Sequence, residues 1–262
     1  GVINMGTLAV DGTIALTTNG NGAATVVNDA GLAFAASTVT GALSATATTG
    51  DITDSGNLTI TGAATFITGA TGSNIVLDAS GNAFAAAVTM TADDGSEAFG
   101  NITFVDSAAV KLHSSAGTNG DLFIDGSTDL AVGGNLSITA TTGNITQGAA
   151  VTVTGTTTLV TSANDATITL GSANAFGGAL TITTNDASGT DADVTIDNGT
   201  TALIIAASTI DGDLTLTSGH ASGITDSGTV TVGGNLAATT DDNNGVINMG
   251  TLAVDGTIAL TT

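Results

Sequence analysis

Four pairs of aspartates have the residue type and spacing that could bind a cation. They are Asp93 with Asp94, Asp191 with Asp193, Asp211 with Asp213, and Asp241 with Asp242. Two carboxylates two residues apart on a β-strand point to the same face, and oxygen ligands of this kind suit Ca²⁺. The same pairs also suit solvated turns, and the glycine-rich nonapeptide of calcium-binding solenoids does not occur. We therefore predict no metal site, with loose Ca²⁺ binding as the alternative.

Catalysis is the second chemistry to consider. The sequence has a single basic side chain of the Lys or Arg type, Lys111, and its two histidines, His113 and His220, are isolated from each other. Lyases that act on acidic sugars commonly need Lys or Arg, and glycosidases need clustered carboxylates of which one has a raised pKa. We predict no catalytic and no cofactor-binding residues, and no enzymatic activity.

Threonines two residues apart are the third candidate, because rows of threonine on a flat sheet can bind a regular surface such as ice. The pairs do not recur at one fixed phase of the sequence, which argues against a lattice-matching face. Threonine is also simply a good exposed strand former. The pairs are Thr139/Thr141, Thr152/Thr154, Thr167/Thr169, Thr181/Thr183, Thr215/Thr217 and Thr229/Thr231.

The composition restricts the partners. Asp and Glu total 23 and the formal net charge is −22, so nucleic acid and anionic membrane surfaces are disfavoured. No apolar run reaches the roughly 18 residues of a membrane helix, so direct membrane insertion is not expected. Hydrophobic residues make up 42%, whereas aromatic residues make up 3%, which predicts a core of Val, Ile, Leu, Ala and a few Phe.

The elements that position these side chains are short β-strands. Apolar and polar residues alternate in bursts such as Leu58–Ile60, Val151–Val153 and Val230–Val232, and Gly, Asn and Asp separate the bursts. The chain has 37 Gly and no Pro, which suits tight turns between strands that all use their N–H groups. This pattern predicts an all-β fold.

The chain repeats itself at three levels. Residues 1–18 and 245–262 are identical, so residues 1–244 form one tandem period and the last segment begins the next copy. Inside this period, related phrases begin near Ile52, Ile145 and Ile224 and mark three diverged sub-repeats. A finer repeat of a turn residue and an apolar residue recurs at steps of 20–27 residues, at Asp51, Asn74, Asn101, Asp121 and Asn144.

A step of this size predicts a β-solenoid, a right-handed parallel β-helix of about three short strands per coil, continuous over residues 1–262. The five turn residues are expected to stack above one another as a ladder. The phenylalanines are expected to form an internal stack. A β-sandwich is the alternative, but sandwiches usually carry large aromatic anchors and proline-marked loops.

Several phrases resemble the β-strand repeats of filamentous-haemagglutinin-like exoproteins. They are GNLSITATTGNITQGAAVTVTGTTTLVT from Gly134, NAFGGALTITT from Asn174, GNAFAAAV from Gly81 and GLAFAAS from Gly31. The resemblance implies a right-handed parallel β-helix that serves as the shaft of a large bacterial adhesin, secreted or held at the cell surface.

The prediction that combines these observations is a structural region of a long extracellular bacterial fibre or adhesin stalk. A module that binds Ca²⁺ or a surface, including ice, is the alternative. The expected partners are further copies of the repeat in the same chain, with lateral or end-to-end self-association.

Overall fold

The fold is all-β in the part of the chain that the structure describes. A computed structural model of the protein describes residues 1–92, 100–112, 121–124, 130–185, 191–242 and 244–262. Strands in these ranges pair in parallel and stack as a β-solenoid of about ten turns. No helix in the described ranges is long and apolar enough to cross a membrane. The chain divides into two compact units, one formed by residues 1–108 and 113–135 and the other by residues 109–112 and 136–262.

The first unit contains three parallel sheets. Its strands are β1 (Ile3–Leu8), β2 (Thr13–Ile14), β3 (Ala24–Asn28), β4 (Leu32–Phe34), β5 (Ser37–Val39), β6 (Leu43–Ala47), β7 (Ile52–Asp54), β8 (Leu58–Ile60), β9 (Ala64–Thr68), β10 (Ile75–Leu77), β11 (Ala83–Phe84), β12 (Val88–Thr91), β13 (Ile102–Asp106), β15 (Asp121–Ile124) and β16 (Leu130–Val132). The first sheet has the order β1-β3-β6-β9-β12-β15, the second β2-β4-β7-β10-β13 and the third β5-β8-β11.

The second unit is built in the same way. Its strands are β14 (Val110–Leu112), β17 (Leu136–Ala140), β18 (Ile145–Gln147), β19 (Val151–Val153), β20 (Thr157–Thr161), β21 (Ile168–Leu170), β22 (Ala175–Phe176), β23 (Leu180–Thr183), β24 (Val194–Asp197), β25 (Leu203–Ile205), β26 (Ser208–Ile210), β27 (Leu214–Ser218), β28 (Ile224–Asp226), β29 (Val230–Val232), β30 (Leu236–Thr240), β31 (Ile247–Asn248), β32 (Leu252–Val254) and β33 (Ile258–Thr261). One sheet has the order β14-β18-β21-β24-β27-β30-β33, and a second runs β17-β20-β23 and divides at β23 into β25-β28-β31 and β26-β29-β32.

The strand register fixes the length of each coil. In the first unit the successive partners are Ala24, Leu43, Ala64 and Val88, so coil length changes from one step to the next but stays close to the predicted step. In the second unit the steps that follow Ile145 behave in the same way. The steps from Val88 to Leu122 and from Val110 to Ile145 are longer than predicted, and both include residues outside the described ranges.

The solenoid prediction is thus confirmed, with short strands on three faces of the coil, and the sandwich alternative is wrong. Parallel strands need a crossover connection rather than a hairpin, and a coil supplies that crossover while it also forms the other faces. The right-handed winding and the continuity of one solenoid over residues 1–262 stay predictions.

The core follows from the alternation along each strand. In β3, β6, β9, β17, β20 and β30 the first, third and fifth residues are buried and the two between them are partly exposed. In each unit, apolar side chains from the sheets therefore fill an interior, where each fully buried Leu or Ile contributes roughly 1.5–3 kcal/mol.

Phenylalanines stack inside the first unit, as predicted. The ring of Phe66 lies between those of Phe34 and Phe84, with centroid distances of 6.3 and 6.2 Å and edge-to-face geometry. Phe104 continues the stack at 5.2 Å from Phe84. Phe176 is buried in the second unit. Phe99 and the side chain of Phe123 lie outside the described part of the chain.

The two identical segments at residues 1–18 and 245–262 do not fold in the same way. In the first copy Ile3 pairs with Ala24, on the first sheet of the first unit. In the second copy Ile247 pairs with Ile224, which opens the same sub-repeat phrase as Ile52, and Ile52 lies on the second sheet of the first unit. The segment therefore occupies a different face of the coil in its two positions. Its first copy pairs with β3, whereas its second copy pairs with β28.

Candidate functional site

A ladder of polar side chains follows one corner of the first unit. The Asp51 Oδ1 atom accepts a hydrogen bond from the N–H of Asn74 at 2.7 Å, and Asn74 Oδ1 accepts one from the N–H of Asn101 at 2.9 Å. Asn101 Oδ1 in turn accepts from the N–H of Asn135 at 2.8 Å. Each side chain thus satisfies a backbone donor that the turn leaves outside the sheet. The predicted stack is confirmed for its first three members.

The other two predicted members of this ladder are wrong. Asp121 begins β15, where Leu122 pairs with Val88 of the first sheet, so it belongs to a different row. Asn144 lies in the second unit and its Oδ1 atom accepts the N–H of Thr167 at 2.9 Å. A turn residue before an apolar residue opens strands on more than one sheet, so this two-residue pattern does not distinguish one row from another.

A second ladder in the second unit uses two of the aspartates considered for Ca²⁺. Asp193 Oδ1 accepts the N–H of Asp213 at 2.7 Å, and Asp213 Oδ1 accepts both the N–H and the side-chain amide of Asn235 at 2.6 and 3.0 Å. Asn235 Oδ1 accepts the N–H and the hydroxyl of Thr257 at 2.9 and 2.7 Å. These oxygens therefore serve the stacking of coils.

The described aspartate pairs lie in turns, as the favoured interpretation predicts, and the two spaced pairs do not share one strand face. Asp191 and Asp193 precede β24, and Asp211 and Asp213 lie between β26 and β27. Asp242 Oδ1 accepts the N–H of Asn244 at 2.9 Å. Asp93 and Asp94 lie outside the described residues, and no group of three metal-binding side chains occurs within the described ranges.

The two histidines, which are isolated from each other in the sequence, differ in what the structure describes of them. His220 is exposed in the turn after β27, where its Nδ1 atom accepts the N–H of Ser222 at 3.0 Å. His113 lies outside the described residues.

The sub-repeat phrase encodes a cap for the loop of the following coil. Its third residue is Asp54, Gln147 or Asp226, and in each copy the side chain accepts backbone N–H groups of the next coil. These pairs are Asp54 Oδ1 with Asp78 and Ala79 (2.9 and 3.3 Å), Gln147 Oε1 with Ser172 (3.2 Å), and the two oxygens of Asp226 with Gly250 and Thr251 (2.7 and 2.9 Å). Burial raises the pKa of Asp54 above its ordinary value, although the hydrogen bonds from Asn82, Asp78 and Ala79 oppose the rise.

Buried asparagines at the corners are the structural residues that sequence reasoning missed. Each accepts, through Oδ1, the N–H of a residue in the preceding coil, and the amide groups of Asn28 and Asn198 also donate to the carbonyl of that same residue. The pairs are Asn28 with Val10 (3.0 Å), Asn82 with Leu58 (2.7 Å), Asn174 with Val151 (2.8 Å) and Asn198 with Phe176 (2.8 Å). The Asn-Ala-Phe phrases at Asn82 and Asn174 could have indicated this corner role. In both phrases the asparagine is buried at the corner and the phenylalanine two positions later lies in the core.

Asp106 takes the same corner role as these asparagines but carries a carboxyl group. It is fully buried, and its Oδ1 atom accepts the N–H groups of Phe84 and Ala108 at 3.3 and 3.4 Å. Its Oδ2 atom is buried and has no hydrogen-bond partner among the described residues. Burial raises the pKa of Asp106 to about 6, against backbone hydrogen bonds that lower it. An asparagine here would offer an N–H₂ group in place of this unpaired oxygen.

We predict that Asp106→Asn stabilises the protein at pH 7.5 and not at pH 4. The folded pKa of about 6 lies above the ordinary value of 3.8, so the stability that the protonated Asp106 contributes is fully present below pH 3.8 and is lost as pH rises through 6. The shift corresponds to about 3 kcal/mol at about 1.36 kcal/mol per pKa unit. Denaturant unfolding of both proteins at the two pH values measures the difference. An equal effect at both pH values would contradict the assignment.

The threonine pairs lie at strands of different sheets, so they share no single phase of the coil, as the sequence predicts; single outward threonines, however, do recur at a fixed phase. In the second unit the consecutive register partners on one sheet include Thr146, Thr169, Thr195 and Thr215. In the first unit such a row is formed by Thr25, Ser44, Thr65 and Thr89. Because the coils differ in length, these threonines are not evenly spaced along the sequence. They are nevertheless register partners in adjacent strands.

The comparison with known families agrees with this repeat architecture. The chain matches the family described as repeats of unknown function (DUF5649) over residues 21–91, 99–183 and 191–245. Each matched segment contains one of the phrases that begin at Ile52, Ile145 and Ile224. No curated protein and no solved structure matches the chain. With most of its length matched in three segments, the chain belongs to the DUF5649 family of repeats.

Proposed function

We propose that the chain is a structural region of a long extracellular bacterial fibre or adhesin stalk and that it does not catalyse a reaction. The observation that carries the proposal is the strand register. Leu43–Ala47 pairs residue by residue with Ala24–Asn28 on one side and with Ala64–Thr68 on the other. A coil that is paired on both sides in the same way is a unit that adds length without a new kind of contact.

The polar corners support the same role. The ladders through Asp51 and Asp213 place hydrogen-bonding side chains between successive coils, so the turns are joined as well as the strands. Repeat proteins of this kind are stabilised by interfaces between neighbouring repeats, and this makes their stability depend on local stacking rather than on one central site.

The location outside the cell is part of the proposal. It is supported by the resemblance of the phrases from Gly134 and Asn174 to filamentous-haemagglutinin-like repeats. A chain with Lys111 as its one Lys or Arg also offers trypsin-like proteases a single cleavage site. The acidic surface keeps neighbouring shafts apart, so lateral packing would need bridging cations.

The partners in this proposal are further copies of the repeat in the same chain, with lateral or end-to-end self-association. The exposed large hydrophobic side chains of the described residues all belong to the two identical segments. They are Val2, Met5, Val246, Ile258 and Leu260, with exposures of 43–74%. Ile258 and Leu260 lie on β33, which pairs with β30. Exposed apolar side chains on a repeat favour contact with a further copy of the repeat, in the same chain or in a second chain.

Two measurements test this proposal. Antibodies raised against the chain are expected to label intact cells of the source organism, and labelling only after permeabilisation would contradict the surface location. In sedimentation velocity the isolated chain is expected to gain mass with concentration, and Ile258→Asp with Leu260→Asp is expected to reduce this gain. A wild-type mass that does not change with concentration would contradict end-to-end stacking.

A further inference from the structure

The segment repeated at residues 1–18 and 245–262 pairs with a different neighbouring coil in each of its copies. The first copy pairs with the coil that follows it: Ile3 with Ala24, Ile14 with Phe34 and Thr17 with Thr38. The second copy pairs with the coil that precedes it: Ile247 with Ile224, Leu252 with Val230 and Ile258 with Leu236. Because the two copies have the same residues, these pairings describe the two sides of one segment.

The hydrogen bonds on the two sides fall on different residues of the segment. Those to the following coil join the N–H of Val10 to Asn28 Oδ1, the N–H of Leu16 to Ser37 Oγ and the carbonyl of Ile14 to the N–H of Ala35. Those to the preceding coil join the N–H groups of Gly250 and Thr251 to the Asp226 carboxylate and the N–H of Thr257 to Asn235 Oδ1. The last three donors correspond to Gly6, Thr7 and Thr13 of the first copy. One segment can therefore make both sets of bonds at once.

The burial of one leucine shows what the following coil contributes. Leu16 is 4% exposed in the first copy, whereas its counterpart Leu260 is 54% exposed. The coil that contains Phe34 and Ser37 follows the first copy and covers Leu16. The same coil, placed after residues 245–262, would cover Leu260 in the same way.

The length of the neighbouring strand changes across the segment. The strand β31 lies against the three-residue β28, whereas β1, from the same sequence, lies against the five-residue β3. The strand β33 lies against the five-residue β30, whereas β2 lies against the three-residue β4. A segment paired on both sides would thus have a short strand behind and a long strand ahead on one face, and the reverse on another face.

The second unit already contains a coil that makes this exchange with both sides paired. The strand β23 pairs with the five-residue β20 behind and with the three-residue β25 ahead. Its details match those of the repeated segment. The N–H of Ile182 donates to Ser208 Oγ at 3.0 Å, as that of Leu16 does to Ser37, and Asn198 accepts the N–H of Phe176, as Asn28 does for Val10. Ile182, at the position of Leu16, is fully buried.

We propose that residues 245–262 are the docking surface for the next copy of the repeat. The occupant is residues 24–38 of that copy, which cover the segment as they cover residues 1–18, with an exchange of long and short strands at the junction. This inference rests on the proposed shaft role, in which copies follow one another along the chain. It adds the register in which consecutive copies join.

Spin labels test this register, because the chain has no Cys and every label site can be chosen. The test protein is residues 1–262 followed directly by residues 19–262, which preserves the tandem period. The junction pair is Thr261→Cys with Thr38→Cys in the second copy. The control pair is Thr183→Cys with Thr209→Cys, which are register partners in the second unit. A third pair, Ala259→Cys with Thr25→Cys in the second copy, would be neighbours only if the long strands stacked without the exchange.

Electron paramagnetic resonance is expected to show dipolar broadening for the control and junction pairs and none for the third pair. Broadening of the control pair alone overturns the proposal and leaves the solenoid intact. Broadening of the third pair in place of the junction pair also overturns it, because the copies would then join without the exchange. Loss of broadening in the control pair would contradict the strand register itself, and with it both this proposal and the shaft role.

Leu260→Ala gives a second measurement that needs no label. In the chain of residues 1–262 the change is expected to leave the melting temperature nearly unchanged, because the side chain is exposed. In the two-copy chain it is expected to lower the melting temperature at least as much as Leu16→Ala does in the shorter chain, since truncation of a buried leucine leaves a cavity. An equally small effect of Leu260→Ala in both chains overturns the proposal.

Discussion

Replacing Phe66 by Ala is expected to lower the free energy of unfolding by about 3–5 kcal/mol, the usual cost of truncating a buried phenylalanine. The ring is fully buried and contacts Phe34 and Phe84, edge to face, at centroid distances of 6.3 and 6.2 Å. These two rings come from other strands of the unit, so the cavity removes packing on both sides of Phe66. Aromatic pairs of this geometry contribute about 0.5–1.5 kcal/mol beyond the buried area.

Denaturant unfolding followed by far-ultraviolet circular dichroism measures this effect. Phe66→Leu is the control, because it keeps an apolar side chain in the stack and loses only the ring, so its expected cost is smaller. If both variants unfold at the wild-type denaturant concentration, Phe66 does not lie in a packed interior and the solenoid core described here is wrong.

Gly234→Ala is expected to lower the free energy of unfolding by about 1–3 kcal/mol, as overpacking of a tight contact does. A Cβ atom at this position would overlap the Asp213 Oδ1 atom and lie 2.8 Å from the carbonyl carbon of Gly212. The Asp213 side chain cannot move away from this Cβ atom without losing the hydrogen bonds that its Oδ1 atom accepts from Asn235. The glycine is therefore required because the polar ladder of the preceding coil lies directly against its backbone.

The two identical segments provide a matched control for this prediction. Gly12 and Gly256 lie in the same pentapeptide, Val-Asp-Gly-Thr-Ile. A Cβ atom on Gly12 meets no atom within 4 Å, whereas one on Gly256 lies 2.5 Å from the carbonyl oxygen of Gly234. Gly12→Ala is therefore expected to be neutral or slightly stabilising, and Gly256→Ala to destabilise. Equal melting temperatures for these two variants would contradict the stacking of the last coil on β29 and β30.

The sequence contained enough information for the fold class but not for the rows. Alternation in segments such as Leu58–Ile60 and Val230–Val232 shows which side chains point inward, because the side-chain period of a strand is two. It does not show which strand is the neighbour. That partner lies one coil away along a loop of variable length, so Asp121 was assigned to the wrong row and the regular threonine rows were missed.

The corner asparagines and the identical segments also could not be placed from the sequence, because their partners lie in another coil. The corner role of Asn82 and Asn174 depends on an N–H group in the preceding coil, and no local pattern marks that donor. The identical segments are the clearest case: Ile14 pairs with Phe34 and Ile258 pairs with Leu236, although the two isoleucines have the same sequence neighbours. Tertiary context, rather than the propensity of the segment, selects its place in the coil.

The central claim is that length grows by the stacking of like coils, and the contour length of tandem chains tests it most directly. Chains that carry one, two and three copies of residues 1–244 in series would be imaged by electron microscopy after rotary shadowing. With about ten coils per copy at about 4.8 Å each, every added copy is expected to lengthen the particle by about 50 Å at constant width. Particles that grow in width, or that become beads of separate globules, would contradict the account.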